Sequence, residues 1–348
     1  MIHPSLKIIP LLPILFSSLL SACQPVPAAT PTPTETATLL FTSTATVVPS
    51  LTPTVTSTPE PAWYQPLDPS LGLLKYSYAR VIPPKARIYV SLQDAIQKTG
   101  NFGYPPNYPA YVAYSATETR GGQTYYHVQD GWMAGTDLQL LTPSTFTGIQ
   151  LTRPVSFRFG WVLAETQSVT AAGTPVQSYH RYQVIHEVPA VTSLPGSIAI
   201  GTDEWLPADK VALVDPRLPP LAGPNTCRFI YTDLNTQTLS VYDRCKLVFA
   251  TLISSGKNSW TFEGRFTILY KVPYNSILPP QYSTSDYYIE EVPYFMTYDV
   301  NFGFHGAYWH DDFGAPASHG CINLSPADAS WLYTWAQLGD IVLISAGK

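Results

Sequence analysis

The sequence predicts a mainly β protein composed of several folded units. Its 348 residues exceed the usual length of a single domain. Aromatic residues make up 13% of the chain, charged residues only 12%, and prolines number 34, which is typical of short strands and turns. The net charge of −5, without any Lys/Arg-rich run, excludes nucleic acid as an expected partner.

The first element, residues 1–23, has the features of an export signal. Lys7 precedes an apolar run, Ile8 to Leu20, that is too short to span a bilayer as a stable helix. The following Ser21-Ala22-Cys23 resembles the lipobox of bacterial lipoproteins, which implies that Cys23 is acylated and becomes the new N-terminus. An ordinary cleaved secretory signal with a chance cysteine is the alternative. Under both interpretations the protein leaves the cytoplasm.

The second element, residues 24–61, is predicted to be a disordered stalk. It contains 8 Pro and 12 Thr among 38 residues, and its only charges are Glu35 and Glu60. Such a segment cannot bury enough apolar surface to form a core. Proline-rich chains stay extended, so the stalk could hold a folded body roughly 40 to 110 Å from a membrane.

The next two elements, residues 62–145 and 146–220, are predicted to be small β-barrels. Each contains short apolar runs that end in a tryptophan and an aliphatic tail, and the two tryptophans, Trp132 and Trp205, lie 73 residues apart. A repeat of this length with several turn signals fits two small barrels. They resemble the bacterial SH3-like modules that accompany cell-wall enzymes. A role as scaffold strands without binding activity is an equal alternative.

The last element, residues 226–346, opens with a predicted β-hairpin. Residues 229–242 alternate apolar and polar side chains around a polar turn. Cys227 and Cys245 flank this hairpin symmetrically, so antiparallel pairing would bring their thiols to disulfide distance, and an oxidising compartment favours the bond. With Cys23 lipidated, Cys321 is the only free thiol, and in an exported protein a leftover thiol suggests a function.

The surroundings of Cys321 carry a recognisable motif. His305-Gly306 is followed by Ser318-His319-Gly320-Cys321-Ile322-Asn323, and this pattern resembles the catalytic core of the L,D-transpeptidase family over about the last 120 residues. Ser255-Gly256 and Gly264-Arg265-Phe266 also match family features, whereas Thr261-Phe262 stands where the family usually has Thr-Pro. The resemblance implies a β-sandwich or barrel-like catalytic domain with one C-terminal helix, preceded by the two SH3-like barrels.

Thiol chemistry supports the resemblance independently. A cysteine with a reference pKa near 8.5 needs a neighbouring imidazole to become an efficient nucleophile at neutral pH. His305 and His319 are both candidates, since His319 would share one face of an extended strand with Cys321. The resemblance assigns the base to the His-Gly pair, so we expect Cys321 and His305 to be catalytic and His319 to bind substrate or support the site.

Further residues of the motif are candidates for substrate or oxyanion contacts. Gly320 would permit close approach of the substrate, and the amides of Gly320 and Cys321 are expected oxyanion donors. Gly306 belongs to the same group. Ser318 could orient an imidazole and Asn323 could bind substrate or brace the loop, although a purely structural turn role is as probable for both.

A helix and a strand are predicted to close the chain. Ser325 is a candidate N-cap, followed by Pro326 and by Asp328 in the first turn. Trp331, Leu332 and Trp335 lie at helical spacing and are expected to pack in the core, and Gly339 is expected to end the helix before a strand over 341–344.

The resemblance implies acyl transfer at the cell wall. The Cys321 thiolate would attack the carbonyl of an L-centred residue in a peptidoglycan tetrapeptide stem and expel the terminal D-alanine. An amine of a second stem would resolve the thioester into a cross-link, and water would instead give L,D-carboxypeptidase activity. The implied partners are donor and acceptor stems and, through the lipid anchor, the membrane, with the enzyme facing the wall. No cofactor or metal is expected.

Three rival functions have sequence features of their own. His305, Asp312 and His319, with His310 and Asp311 nearby, have a spacing compatible with a zinc peptidase, but zinc would leave Cys321 unexplained. A non-catalytic wall-binding lipoprotein could keep the fold without the reaction. A Cys-His amidase usually has the cysteine before the histidine in the chain, and here the order is reversed.

Overall fold

Short strands account for most of the regular structure in the computed structural model of the chain. The structure describes residues 62–83, 85–105, 107–190, 193–223, 226–278 and 287–346. The predicted export signal with Cys23 and the predicted stalk lie outside these residues. The described residues belong to one compact unit, Pro59–Lys348. The prediction of a mainly β protein is confirmed.

The strands are numbered in chain order. They are β1 (Tyr64–Pro66), β2 (Ser77–Val81), β3 (Ile88–Tyr89), β4 (Phe102–Gly103), β5 (Ala110–Arg120), β6 (Gln123–Val128), β7 (Gly131–Ala134), β8 (Leu138–Leu140), β9 (Ile149–Leu151), β10 (Phe159–Val162), β11 (Thr166–Val169), β12 (Pro175–Tyr179), β13 (Val184–His186), β14 (Ser197–Gly201), β15 (Glu204–Pro207), β16 (Val211–Val214), β17 (Phe229–Asp233), β18 (Thr238–Asp243), β19 (Lys246–Leu252), β20 (Gly264–Thr267), β21 (Tyr270–Ile277), β22 (Tyr288–Thr297), β23 (Gly303–Gly306), β24 (Ile322–Leu324) and β25 (Ile341–Ser345).

Helices are few in the described part of the chain. The α-helices are α1 (Leu92–Gln97) and α2 (Pro326–Trp335), and short 3-10 helices lie at Pro69–Gly72, Gly135–Asp137, Ala208–Lys210, Pro220–Ala222 and Lys257–Ser259. No helix among the described residues combines the length and the apolar character needed to cross a membrane.

The predicted hairpin lies in the middle of a seven-stranded sheet. Strands β17 and β18 pair antiparallel from Phe229 opposite Tyr242 to Asp233 opposite Thr238, as the alternating pattern predicts. The sheet has the order β1-β9-β19-β18-β17-β25-β20. Cys227 and Cys245 form a disulfide just outside the hairpin, so the predicted bond is confirmed.

A second sheet carries the motif residues and also crosses the predicted domain boundaries. Its main path is β24-β23-β22-β5-β6-β7-β3-β4, and β22 pairs in parallel with β5 through Tyr288 opposite Ala110 and Ile289 opposite Tyr111. The strands after residue 287 thus continue into strands of the predicted first module. In the first sheet, β9 of the predicted second module likewise pairs with β19.

The prediction of two closed SH3-like barrels is not confirmed. The remaining strands of the predicted second module form two small sheets, β13-β10-β16 and β12-β11-β15-β14, and the sheets among the described residues are open. The strand pairing gives a physical reason. Besides its pairing with β2 and β6, β5 pairs with β22, and β9 pairs with β19, so strands of both segments join sheets of the C-terminal region.

Helix α2 begins as the sequence predicts. The Ser325 hydroxyl accepts a hydrogen bond from the Asp328 backbone N–H at 3.2 Å, and Pro326 occupies the first turn. Leu332 is fully buried beside Phe304 and Ile322, the residues that flank the motif histidine and cysteine. The helix therefore supports both motif strands. It ends earlier than predicted, because Ala336 has an extended backbone, and Gly339 (φ +85°) lies in the turn before β25.

Candidate active site

The parallel pairing of β23 and β24 brings the two motif segments together. His305 lies opposite Asn323 in this pairing, and Cys321 immediately precedes β24. Opposed residues of paired strands project to the same face, as do residues two apart on one strand. His305 and Asn323 line one cavity of about 620 Å³, together with Cys321, Ser318 and His319 from the segment that leads into β24. The structure thus joins five residues that the sequence singled out.

Aromatic rings and one backbone carbonyl fix the imidazole of His305. The ring is buried, lies nearly parallel to Phe295 with centroids 5.4 Å apart, and is 5.7 Å from Trp309. Its Nδ1 is 3.3 Å from the carbonyl oxygen of Gly306. A neutral imidazole that donates this hydrogen bond from Nδ1 keeps a lone pair on Nε2, where it can accept a proton. Gly306, predicted as a substrate or oxyanion contact, therefore orients the histidine here.

Burial sets the resting protonation of the two motif groups. Desolvation lowers the pKa of His305 to about 4, although the Gly306 hydrogen bond opposes the change. Desolvation also raises the pKa of the Cys321 thiol to about 11, against a backbone hydrogen bond from Gly303. At neutral pH the cavity is thus lined by a neutral thiol and a neutral imidazole. A thiol in this state must lose its proton before or during attack on a substrate, and a neutral imidazole is a chemically suitable acceptor.

The hydroxyl of Ser318 contacts the cysteine loop. It donates to the carbonyl oxygen of Cys321 at 2.5 Å and accepts from the N–H of Gly320 at 3.0 Å. The Ser318 carbonyl accepts from the N–H of Lys257 at 3.0 Å. These bonds hold the backbone around Cys321. An oxyanion would take the Gly320 N–H only by displacing the serine hydroxyl.

Glycine is required at position 320 by backbone and space. Its φ of +131° lies in the region that favours glycine, and a Cβ there would come within 2.1 Å of the Phe302 ring. The Thr261 hydroxyl also donates to the Gly320 carbonyl at 2.7 Å. Residues 319–321 consequently form a bend and not an extended strand. The expectation that His319 and Cys321 lie on the same face of one strand is therefore wrong.

Asn323 pairs with a histidine that the sequence analysis considered only as a metal ligand. The Asn323 amide lies 2.9 Å from Nε2 of His310, whose Nδ1 accepts the N–H of Asp312 at 3.1 Å. Because Nδ1 is an acceptor, the neutral ring carries its proton on Nε2, and the amide oxygen is the group that suits it. Asn323 thus braces the loop between β23 and β24.

His319 lies at the rim of the cavity between two aromatic rings. Its imidazole stacks on Tyr287 with centroids 4.7 Å apart and lies 5.5 Å from Trp260. Burial lowers its pKa, and the positive charge of Lys257, which also lines the cavity, lowers it further. His319 is therefore a neutral, stacked side chain suited to contact with a substrate.

The proposed zinc ligands are not gathered into a metal site. Within the described residues, no group of three or more His, Cys, Asp and Glu side chains is arranged to hold a metal ion. His305, Asp312 and His319 all line the cavity, but His305 is committed to Gly306 and His319 to its aromatic neighbours.

Two residues far from the motif complete the cavity wall. Pro109, just before β5, and Tyr111, near its start, line the same cavity as Cys321. The sequence analysis did not find them, and no local signal marks them, because their position depends on the long-range pairing of β5 with β22. The orienting role of the Gly306 carbonyl was also missed, although the His-Gly pair itself was the available signal.

Comparison with known proteins finds similarities to the C-terminal region. Residues 228–344 match the family model of the L,D-transpeptidase catalytic domain, YkuD. The L,D-transpeptidase of Enterococcus faecium is 26% identical over 34% of this chain and 49% of its own, with a TM-score of 0.31. The catalytic domain of the E. faecium enzyme, solved by NMR, is 28% identical over 34% of this chain and 96% of its own, with a TM-score of 0.32.

A third similar structure extends further along this chain. The L,D-transpeptidase from Mycobacterium smegmatis is 21% identical over 59% of this chain and 92% of its own, with a TM-score of 0.32. The chain spans about half the length of the first E. faecium structure. None of the curated proteins matches the chain.

Proposed function

We propose that the chain cross-links peptidoglycan stem peptides through a thioester on Cys321 and releases D-alanine, starting from the match of residues 228–344 to the family model of the L,D-transpeptidase catalytic domain. The observation that carries the proposal is the shared cavity of about 620 Å³, into which both His305 and Cys321 project. A cavity of this size holds a peptide and not only the reacting amide.

The first half-reaction forms the thioester. Nε2 of His305 accepts the thiol proton while sulfur attacks the carbonyl carbon of the L-centred residue. The tetrahedral intermediate collapses, the bond to D-alanine breaks, and the imidazolium gives its proton to the leaving amine. The low pKa of the buried His305, about 4, supports this step, because it makes the imidazolium a strong acid.

The second half-reaction resolves the thioester. The amine of an acceptor stem loses a proton to Nε2 and attacks the thioester carbon, and the thiolate leaves and is reprotonated. Water in place of the amine gives a trimmed stem, which is carboxypeptidase activity from the same intermediate. The ratio of cross-linked to trimmed product therefore depends on acceptor binding and not on the nucleophile.

We also propose that the enzyme is exported and attached to the membrane through an acylated Cys23. The support is the sequence alone: an apolar run after Lys7 that ends at the lipobox-like Ser21-Ala22-Cys23, followed by the Pro/Thr-rich residues 24–61. Mass spectrometry of the mature N-terminus tests this proposal. A diacylglyceryl mass on Cys23 supports it, and an unmodified cleavage product contradicts it.

Product analysis tests the catalytic proposal. The protein is incubated with a tetrapeptide-stem donor and a second stem as acceptor, and the products are separated and weighed by mass spectrometry. A cross-linked dimer with release of one D-alanine per dimer supports transpeptidation. A tripeptide stem alone indicates trimming, and sacculus binding without either product indicates a wall-binding protein.

A second acylating probe makes the test independent of stem composition. The E. faecium catalytic domain has been solved acylated by ertapenem. We expect ertapenem to form a covalent adduct with this protein that is absent from the Cys321→Ala variant. An adduct of equal yield in that variant would place the reactive group elsewhere.

A further inference from the structure

Part of the cavity wall comes from outside the catalytic-domain match. The match begins at residue 228, whereas Pro109 and Tyr111 line the cavity together with Cys321 and His305. These two residues, Pro109 just before β5 and Tyr111 within it, are thus contributed to the cavity from outside the matched region.

Two contacts hold β5 in this position. Its first residues pair with β22, where Tyr111 lies opposite Ile289. The next residue of β22, Glu290, is fully buried, and its Oε2 accepts the backbone N–H of Ala113 at 2.9 Å. A buried side chain bonded to the backbone of the neighbouring strand fixes the register, so the place of Tyr111 is determined by the fold.

Tyr111 lies on the same aromatic wall as the base. Its ring centroid is 6.2 Å from that of Trp309, and the Trp309 ring is 5.7 Å from the imidazole of His305. The tyrosine is half-buried, and burial raises the pKa of its phenol, which is therefore protonated and can donate a hydrogen bond. The described residues offer this hydroxyl no hydrogen-bond partner, and a phenol that lines the cavity is a donor that a ligand there could use.

We propose that Tyr111 binds the part of the donor stem peptide that is remote from the reacting carbonyl, by packing against it and donating a hydrogen bond from its hydroxyl. The proposal deepens the proposed function and rests on it. The occupant is the donor stem because the cavity is continuous from Tyr111 to Cys321. Binding to remote groups of a substrate contributes to kcat/KM only when those groups are present.

The test compares two donors on the purified full-length chain. One is the tetrapeptide stem, and the other is a truncated donor with only the L-centred residue and the D-alanine. Acylation is followed for wild type, Tyr111→Phe and Tyr111→Ala. Tyr114→Ala is the matched control, because Tyr114 lies on the same strand but packs on Tyr126 with centroids 5.0 Å apart.

We expect selective losses with the longer donor. For the tetrapeptide stem, kcat/KM should fall about tenfold in Tyr111→Ala and about threefold in Tyr111→Phe, as expected for one hydrogen bond and its packing. For the truncated donor, kcat/KM of each Tyr111 variant should stay close to that of wild type. The dependence of kcat/KM on pH should not change. Tyr114→Ala should affect the two donors equally.

Every outcome decides between the possibilities. Equal losses of kcat/KM on both donors would show that Tyr111 only supports the fold. No loss on either donor would show that Tyr111 does not contact the donor. Either result overturns the inference and leaves the proposed function intact. If Tyr111→Ala fails to fold, Tyr111→Phe alone gives the comparison. If wild type forms no adduct with either donor, the proposed function fails, and this inference fails with it.

Discussion

Replacing Asp328 by asparagine should remove a loss of unfolding free energy that occurs in wild type as the pH rises. Asp328 is fully buried in the first turn of α2, where Oδ1 accepts the Gly148 N–H at 2.7 Å and Oδ2 accepts the Thr251 hydroxyl at 2.5 Å. Burial raises the pKa of this carboxyl to about 7, although both hydrogen bonds oppose the change. Asparagine has nearly the same shape and no charge. The Thr251 hydroxyl, which also lies 3.2 Å from the Leu252 carbonyl, can donate there and accept from the new amide.

The magnitude follows from the displacement of the pKa. Moving the pKa from 3.8 to about 7 corresponds to about 4 kcal/mol, at about 1.4 kcal/mol for each pH unit. Because the folded pKa lies above the unfolded one, the stability contributed by the protonated Asp328 is complete below pH 3.8 and is lost as pH rises through 7. Wild type should therefore lose about 3 kcal/mol of unfolding free energy relative to Asp328→Asn when the pH is raised from 4.5 to 8.

Urea denaturation at the two pH values measures this difference directly. Asp209→Asn is the control, because the Asp209 side chain is 74% exposed, and its unfolding free energy should follow that of wild type at both pH values. Glu290, whose pKa burial also raises to about 7, titrates in wild type and in both variants and cancels from the comparison. Parallel stability curves for Asp328→Asn and wild type would refute the reasoning.

Three further predictions concern the site. Because His305 must be neutral to accept a proton and its pKa is lowered to about 4, kcat/KM for acylation should fall as pH decreases through about 4, and an acid limb near 6.5 would contradict this. Gly320→Ala should lower the free energy of unfolding by about 1–3 kcal/mol in urea titrations, since its Cβ would meet the Phe302 ring; an unchanged midpoint would be evidence against that contact. Lys257→Met should raise the pKa of His319 in an NMR titration, because the lysine charge now lowers it, and an unmoved titration would show that this charge does not act there.

Local patterns in the sequence predicted the C-terminal region well. The alternation over 229–242 predicted the hairpin, and the symmetric placement of Cys227 and Cys245 predicted the disulfide. Ser325 caps α2 as expected from the residues that follow it. In each case the determining interaction joins residues close in the chain, so a short window contains the information.

The remainder depends on pairing between distant segments. The spacing of Trp132 and Trp205 predicted two small barrels, but strands in both segments pair with the C-terminal region. This pairing joins segments far apart in the chain, so a short stretch of sequence does not reveal it. The place of Tyr111 in the cavity follows from the same pairing. Asn323 was expected to bind substrate or brace the loop, and its partner His310 could not be identified without the fold.

The measurement that tests the central claim most directly is the intact mass of the protein after incubation with a tetrapeptide-stem donor. Wild type should gain the mass of the stem less D-alanine, held on the peptide that contains Cys321. Cys321→Ala should gain nothing, and His305→Ala should gain the same mass far more slowly. An adduct on Cys321→Ala, or none on wild type with any stem or with ertapenem, would contradict the assignment of Cys321 as the acylated nucleophile.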